Sequence, residues 1–199
     1  IGPQTLQANT TGFSSTALGS SAGASATTGS YNLFLGAEVY GAAGDTATIG
    51  FWQNKNGQNL IKSLNGSSSS KNLGNWLASN FPNLFGSAAG STNNLTNKTN
   101  SEVASAFKSK FAVSGMKIDA QVFAVALATY ATNSTLAGGT YAATYGFNVS
   151  TGGTGAKTFS VGSAGSALGI ANNSVLSIMD ILKKVNAVAS GGTIFGSNS

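Results

Sequence analysis

The sequence contains no cysteine, no histidine and no arginine, and only two prolines. Each absence removes a class of function. Without cysteine there is no disulfide framework and no thiolate metal site. Without histidine the common Ser-His-Asp and Cys-His catalytic arrangements cannot be built, and zinc loses its usual ligands. Without arginine, bidentate contacts to phosphates or bases are missing. Charge is scarce too: 8% of residues are Asp, Glu, Lys or Arg, where about 25% is usual. No apolar run approaches the roughly 20 residues that span a bilayer, so no membrane span is expected.

What fills the chain is small and polar. Gly, Ser, Thr and Asn make up nearly half of the 199 residues. Such a surface is solvated by hydroxyls and amides rather than by ions. Stability and solubility should therefore respond weakly to pH and salt. The net charge of +5 comes from lysines scattered between Lys55 and Lys184, of which only Lys183 and Lys184 are adjacent. A nucleic-acid site wants clustered cations, so no nucleic-acid partner is expected. The chain opens at Ile1 rather than Met, as after signal-peptide removal or excision from something longer.

Two regions differ in composition. Residues 1–30 are a low-complexity arm with isolated apolar side chains at Leu6, Phe13 and Leu18. They bury too little to offset chain entropy, so the arm is expected to be extended and to need an outside partner. Residues 31–199 read as a compact, mainly helical domain. Residues 31–47, with Leu33, Phe34, Leu35, Val39 and Tyr40, read as either a short strand or a turn or two of helix, with helix favoured. Thr48 should cap a helix running to Gly66, with Phe51, Trp52, Leu60, Ile61 and Leu64 inward, the lysines and amides mostly wet, and Gly57 as a weak point. Leu73, Trp76, Leu77 and Phe81 mark a second helix that Pro82 should end near Asn80. Thr99 and Glu102 form a capping box before Val103, Phe107 and Phe111. Another helix begins at or just before Asp119, carrying Val122, Phe123, Ala126, Leu127 and Tyr130. Thr144–Ser150 and Lys157–Val161 alternate apolar and polar around a TGGTG turn, which predicts a β-hairpin near residues 144–162. A last helix should start at Asn173 or Ser174 and stop at Gly191-Gly192, before a short strand at Thr193-Ile194-Phe195. The expected fold class is thus α+β: a mainly helical compact domain with one β-hairpin and an extended N-terminal arm.

Chemistry is thin. The acids are Glu38, Asp45, Glu102, Asp119 and Asp180. Glu102 and Asp119 fall at helix starts, and Asp180 has Lys183 and Lys184 as solvated ion-pair partners. Any two acids make a conceivable glycosidase pair, but no spacing demands one. Ser67–Ser70 beside Lys71 offers a Ser-Lys dyad only on a loop. No D-x-D-x-D-G calcium loop exists. GTGAK, Gly153–Lys157, lacks the Walker spacing. No catalytic residue, metal or cofactor is expected. Seven N-x-S/T sequons, at Asn9, Asn65, Asn94, Asn97, Asn133, Asn148 and Asn172, are possible glycan attachment points, close to the number that composition alone gives.

The blocks GFWQNKNGQNLIKSLNG, LGNWLASNFPNLFG, KTNSEVASAFKSKF, KIDAQVFAVALATYATNSTLAGGTYAATYGFNV and the closing helix-to-GGTIF segment resemble an uncharacterised module of large exported bacterial surface proteins, notably of planctomycetes. The resemblance covers about residues 48–196. It implies export and a surface or matrix setting, and supplies no reaction. Members of that family often carry His where Gln53 stands, so a metal bound there in relatives would lack its ligand here.

Two functional expectations follow. The first is a secreted, non-enzymatic structural subunit that assembles into a homopolymeric filament or surface matrix. Its N-terminal arm would dock on a neighbour by strand addition, with Leu6, Phe13 and Leu18 in the neighbour's pockets. The second is a carbohydrate-binding or weakly catalytic module, with Trp52, Trp76 and Tyr145 as stacking candidates. Both tryptophans sit at helical core spacing, which favours burial over a sugar platform.

Overall fold

The structure is a computed structural model that describes Thr10, the backbones of residues 16–18 and 33–35, and residues 44–114 and 117–194. It is mainly helical, with small strand pairs, and so belongs to the α+β class. Strand β1 (Thr16–Leu18) pairs in parallel with β2 (Leu33–Leu35), Ala17 facing Phe34 in the register. Of the two readings of residues 31–47, Leu33–Leu35 takes the strand rather than the favoured helix. One stretch of the arm pairs with its own chain; Leu6 and Phe13 lie outside the described residues.

The single helix expected from Thr48 to Gly66 is two. Thr48 Oγ1 accepts the Phe51 N–H at 3.3 Å and starts α1 (Ile49–Gln53). Asn54 then takes an extended conformation, and its Oδ1 accepts from Asn56 N at 2.9 Å and Gly57 N at 3.2 Å, starting α2 (Lys55–Ser63). Gly57 makes this junction possible. A Cβ there would lie 2.2 Å from the Phe51 carbonyl oxygen and 2.4 Å from Trp52 Cα. The residue that looked like a weak point is what lets α2 cross the end of α1.

Pro82 plays a double part. It ends α3 (Asn72–Asn80), as expected, and occupies the first turn of α4 (Pro82–Phe85), where its missing N–H costs nothing. The Thr99–Glu102 capping box opens α5 (Asn100–Ala112). Helix α6 (Ile118–Ala131) passes through the centre, and nine of its residues are buried. Such all-round burial needs the alanine-rich sequence that α6 has, because close helix approach excludes large side chains on every face. The short α7 (Ser134–Ala137) is capped by Asn133, and Gly138 ends it in the left-handed conformation.

The expected hairpin is not formed. Tyr141–Tyr145 is a 3-10 turn, and Ser150 makes only a parallel bridge to Asn133. Lys157–Val161 does contain a strand, β3 (Thr158–Ser160), but its antiparallel partner is β4 (Val175–Ser177). Strand β4 takes the residues expected to open the last helix. That helix, α8 (Ile178–Val188), starts later, with Ser177 as its cap, and Val175 is left 64% exposed. Helix α8 ends before the expected stop at Gly191-Gly192, because strand β5 (Ala189–Ser190) follows it and pairs antiparallel with β6 (Thr193–Ile194), the short strand expected there; Phe195 lies outside the described residues.

The core joins all these helices. Trp52, Leu60, Ile61, Leu64, Leu73, Leu77, Phe81, Val103, Phe107, Phe123, Leu127 and Tyr130 are each at most 2% exposed. Burying each large side chain contributes about 1.5–3 kcal/mol. Aromatic rings meet edge-on through it: Phe107 and Phe123 at 5.4 Å, Trp76 and Phe81 at 5.5 Å, Trp76 and Tyr130 at 5.2 Å. Amides tie the polar backbone inside. Gln58, expected on the wet side, is buried and donates to the carbonyls of Trp52 and Ala104, both at 3.0 Å. Asn100 is fully buried and donates to Leu64 O at 2.6 Å and Ser67 O at 2.9 Å.

Candidate functional site

Three segments distant in sequence converge where residues 44–48 enter the domain. Gly44, at φ +99°, lies against the backbone of Gly146–Asn148; a Cβ would stand 2.2 Å from Gly146 O. Its carbonyl accepts the Asn148 N–H at 2.8 Å. That contact brings Asp45 into a buried position, 7% exposed. The Asp45 carbonyl accepts from the Thr154 hydroxyl, and Thr154 N in turn donates to Thr132 Oγ1 at 2.8 Å. Among the described residues, each carboxylate oxygen of Asp45 has a donor. Oδ1 accepts from Asn148 Nδ2 at 3.1 Å, and Oδ2 accepts from Lys157 Nζ. The Lys157 side chain is 48% exposed, so solvent reaches the amine end of the cluster. Beside it, Phe51 packs against Tyr145 at 6.2 Å and Phe147 at 5.4 Å. Asp45, Asn148 and Lys157 thus form a carboxylate bridged between an amine and an amide.

The other described acids also act within their own chain. Glu102 accepts from Thr99 N at 2.8 Å and pairs with Lys98 at 2.9 Å. The Thr99 backbone bond, then Lys98, lower its carboxyl from an ordinary 4.5 to about 2. Asp119 accepts from Ile194 N at 3.0 Å and faces Lys110 at 3.8 Å. Lys110 donates to Gly192 O at 2.7 Å, and burial lowers its pKa despite Asp119. Asp180 differs from expectation. Its contacts are with the cap residue: Ser177 Oγ donates to Asp180 Oδ2 at 2.7 Å and accepts from Asp180 N at 3.0 Å. Lys183 and Lys184 do not pair with it. Among the described residues no three acids gather as a metal site, and no helix is long and apolar enough to cross a membrane. Glu38 and the sequon at Asn9 lie outside the described residues.

The remaining sequons separate by geometry. Asn65 sits at φ 54°, and its side chain is committed to Leu136 O and the Tyr130 hydroxyl at 2.8 Å each. Asn133 caps α7 and donates to Thr151 O at 2.6 Å. Asn148 holds Asp45. Asn94 and Asn172 accept backbone N–H groups at 2.9 and 3.1 Å. Asn97 is exposed at φ 61° on the turn before α5 and is the sequon most open to a modifying enzyme.

The stacking candidates do not form a platform. Trp52 is wholly buried, and Trp76 and Tyr145 are half-buried against other rings. An open groove of about 400 Å³, of mixed polar and apolar lining, runs along α5 instead. Ser101, Ser105 and Ser109 line it at one-turn spacing together with Asn94, Leu95 and Ala106, and the Ser105 and Ser109 hydroxyls donate back to the carbonyls of Ser101 and Ser105. Composition conceals such a groove, since serines are frequent throughout. The Asp45–Lys157 contact is equally silent in sequence, because 112 positions separate the partners.

A scan against protein-family models finds no match, and neither the curated proteins nor the solved structures provide one.

Proposed function

We propose that this chain is a secreted structural subunit that self-assembles into an extracellular filament or surface matrix through its N-terminal arm. The observation that carries the reading is the use of the acids. Asp45, Glu102, Asp119 and Asp180 each hold backbone or side-chain donors of their own chain. A domain whose described acids serve its own folding, and in which 8% of residues are charged, suits close subunit packing, since few ions need desolvation. Strand exchange supplies the assembly step. Residues 19–32, rich in Gly, Ala and Ser, connect the parallel strands β1 and β2. If β1 of one copy takes the place of β1 beside β2 of the next, the register of Thr16 with Leu33 is kept at little cost. Repeated head to tail, that exchange gives an open polymer. Extracellular placement rests on the resemblance to exported surface modules.

A second reading, a carbohydrate-binding or weakly catalytic surface module, draws its support from the open groove of mixed lining along α5.

Electron microscopy and sedimentation of the full chain and of a chain lacking residues 1–30 test the leading reading. Polymers of the full chain and a folded monomer after deletion are expected. Polymers that persist after deletion, or a full chain that stays monomeric at every concentration, would refute it.

A further inference from the structure

We propose that the Lys157 and Asn148 side chains become joined by an amide bond within the folded chain, with Asp45 as the proton relay. The proposal stands on the convergence at Asp45 and does not depend on whether the chain polymerises. One carboxylate holds both reactants, the amine on Oδ2 and the amide on Oδ1. It is buried, while the amine end opens to solvent. That arrangement puts the proton carrier between nucleophile and leaving group and leaves an exit for a small product.

The backbones of all three residues are fixed. Asn148 N donates to Gly44 O at 2.8 Å, Lys157 N donates to Thr154 O at 3.1 Å, and Lys157 O accepts from Ile178 N at 2.8 Å. The Asp45 carbonyl is held by Thr154. Holding both groups on one carboxylate reduces the entropy lost in bringing amine and amide together.

The step balances without an oxidant or cofactor. Asp45 takes one proton from the Lys157 ammonium. The neutral Nζ attacks Asn148 Cγ, and the Nζ–Cγ bond forms. Asp45 returns its proton to Nδ2, the Cγ–Nδ2 bond breaks, and ammonia leaves. Nζ gives up one more proton, which departs with the ammonia as ammonium. Asp45 ends as the carboxylate it was. The product is one neutral amide that closes the loop from residue 148 to residue 157, a covalent fastening in a chain with no cysteine.

Intact-mass measurement of the purified full-length chain, followed by fragment mapping, tests this. The expected mass is the sequence mass less one ammonia, with the peptides bearing Asn148 and Lys157 linked to each other. Asp45→Ala should restore the full sequence mass. Lys157→Arg, which keeps a cation beside Asp45 so that folding is retained, should do the same. A wild-type chain at full sequence mass identifies a simple ion pair and overturns the proposal. So does loss of one water with the link on Asp45, or loss of ammonia mapped to a cyclised asparagine elsewhere.

Discussion

Replacing Asn100 by alanine should destabilise the domain by about 1–3 kcal/mol, a magnitude that follows from the accounting of its hydrogen bonds. Asn100 is fully buried, and its Nδ2 satisfies two carbonyls that end the α2 segment, Leu64 O at 2.6 Å and Ser67 O at 2.9 Å. Leu64 is itself buried, so its carbonyl gains no water when the amide goes and keeps only the long 3.4 Å bond from Ser67 N; losing its better donor costs about 1–3 kcal/mol. Ser67 is exposed, and water replaces most of what its carbonyl loses. In the other direction, Asn100 Oδ1 has no partner among the described residues, and its removal returns roughly 1 kcal/mol. The small cavity left by the amide adds to the loss. Asn100→Asp should be worse than alanine, because it removes the donor and sets a buried charge against two carbonyl oxygens. Urea unfolding followed by far-UV circular dichroism, with the slope unchanged, gives the difference from the midpoints. An alanine variant within about 0.5 kcal/mol of the parent, or an aspartate variant more stable than alanine, would refute the reasoning.

Gly57→Ala should cost more than the roughly 1 kcal/mol gained from better helix propensity, since its methyl would meet the Phe51 carbonyl at 2.2 Å; a raised melting temperature would show that α1 and α2 can separate freely. Glu102 contributes a pH dependence of known sign. Its folded carboxyl lies at about 2, below the ordinary 4.5, so its stabilisation is present above about pH 4.5 and is lost as pH falls toward 2. Glu102→Gln should therefore flatten the acid limb of the stability profile between those values, and an unchanged limb would exclude the capping box as its source.

Several elements were readable from local signals. Thr99 with Glu102, and Pro82 after Asn80, announce helix ends through chemistry that operates within four residues. The central α6 was visible from its apolar spacing. What failed was choice of partner. Tyr145, Phe147 and Val149 alternate like a strand, yet they supply aromatic and apolar packing from a 3-10 turn and a loop. Strand Thr158–Ser160 found Val175–Ser177 rather than the nearer segment, because pairing depends on which surface is left to cover. The buried amides escaped for a related reason. Gln58 and Asn100 look like solvent-facing residues until the carbonyls they serve, on other segments, are in place. The cluster at Asp45 was out of reach for the same cause, since its members lie on three segments that meet only after folding.

Asn54 at the α1–α2 junction has a consequence for chemical ageing. Asparagine followed by glycine degrades when the glycine nitrogen attacks the preceding side-chain carbonyl and closes a five-membered imide. Asn56-Gly57 is such a pair, but the nitrogen of Gly57 is engaged by the Asn54 side chain at 3.2 Å and lies within a helical turn. The nucleophile is occupied for as long as the junction stays shut. Decay at this point therefore registers how often the two helices part, and a preparation stored for months keeps a record of its own opening.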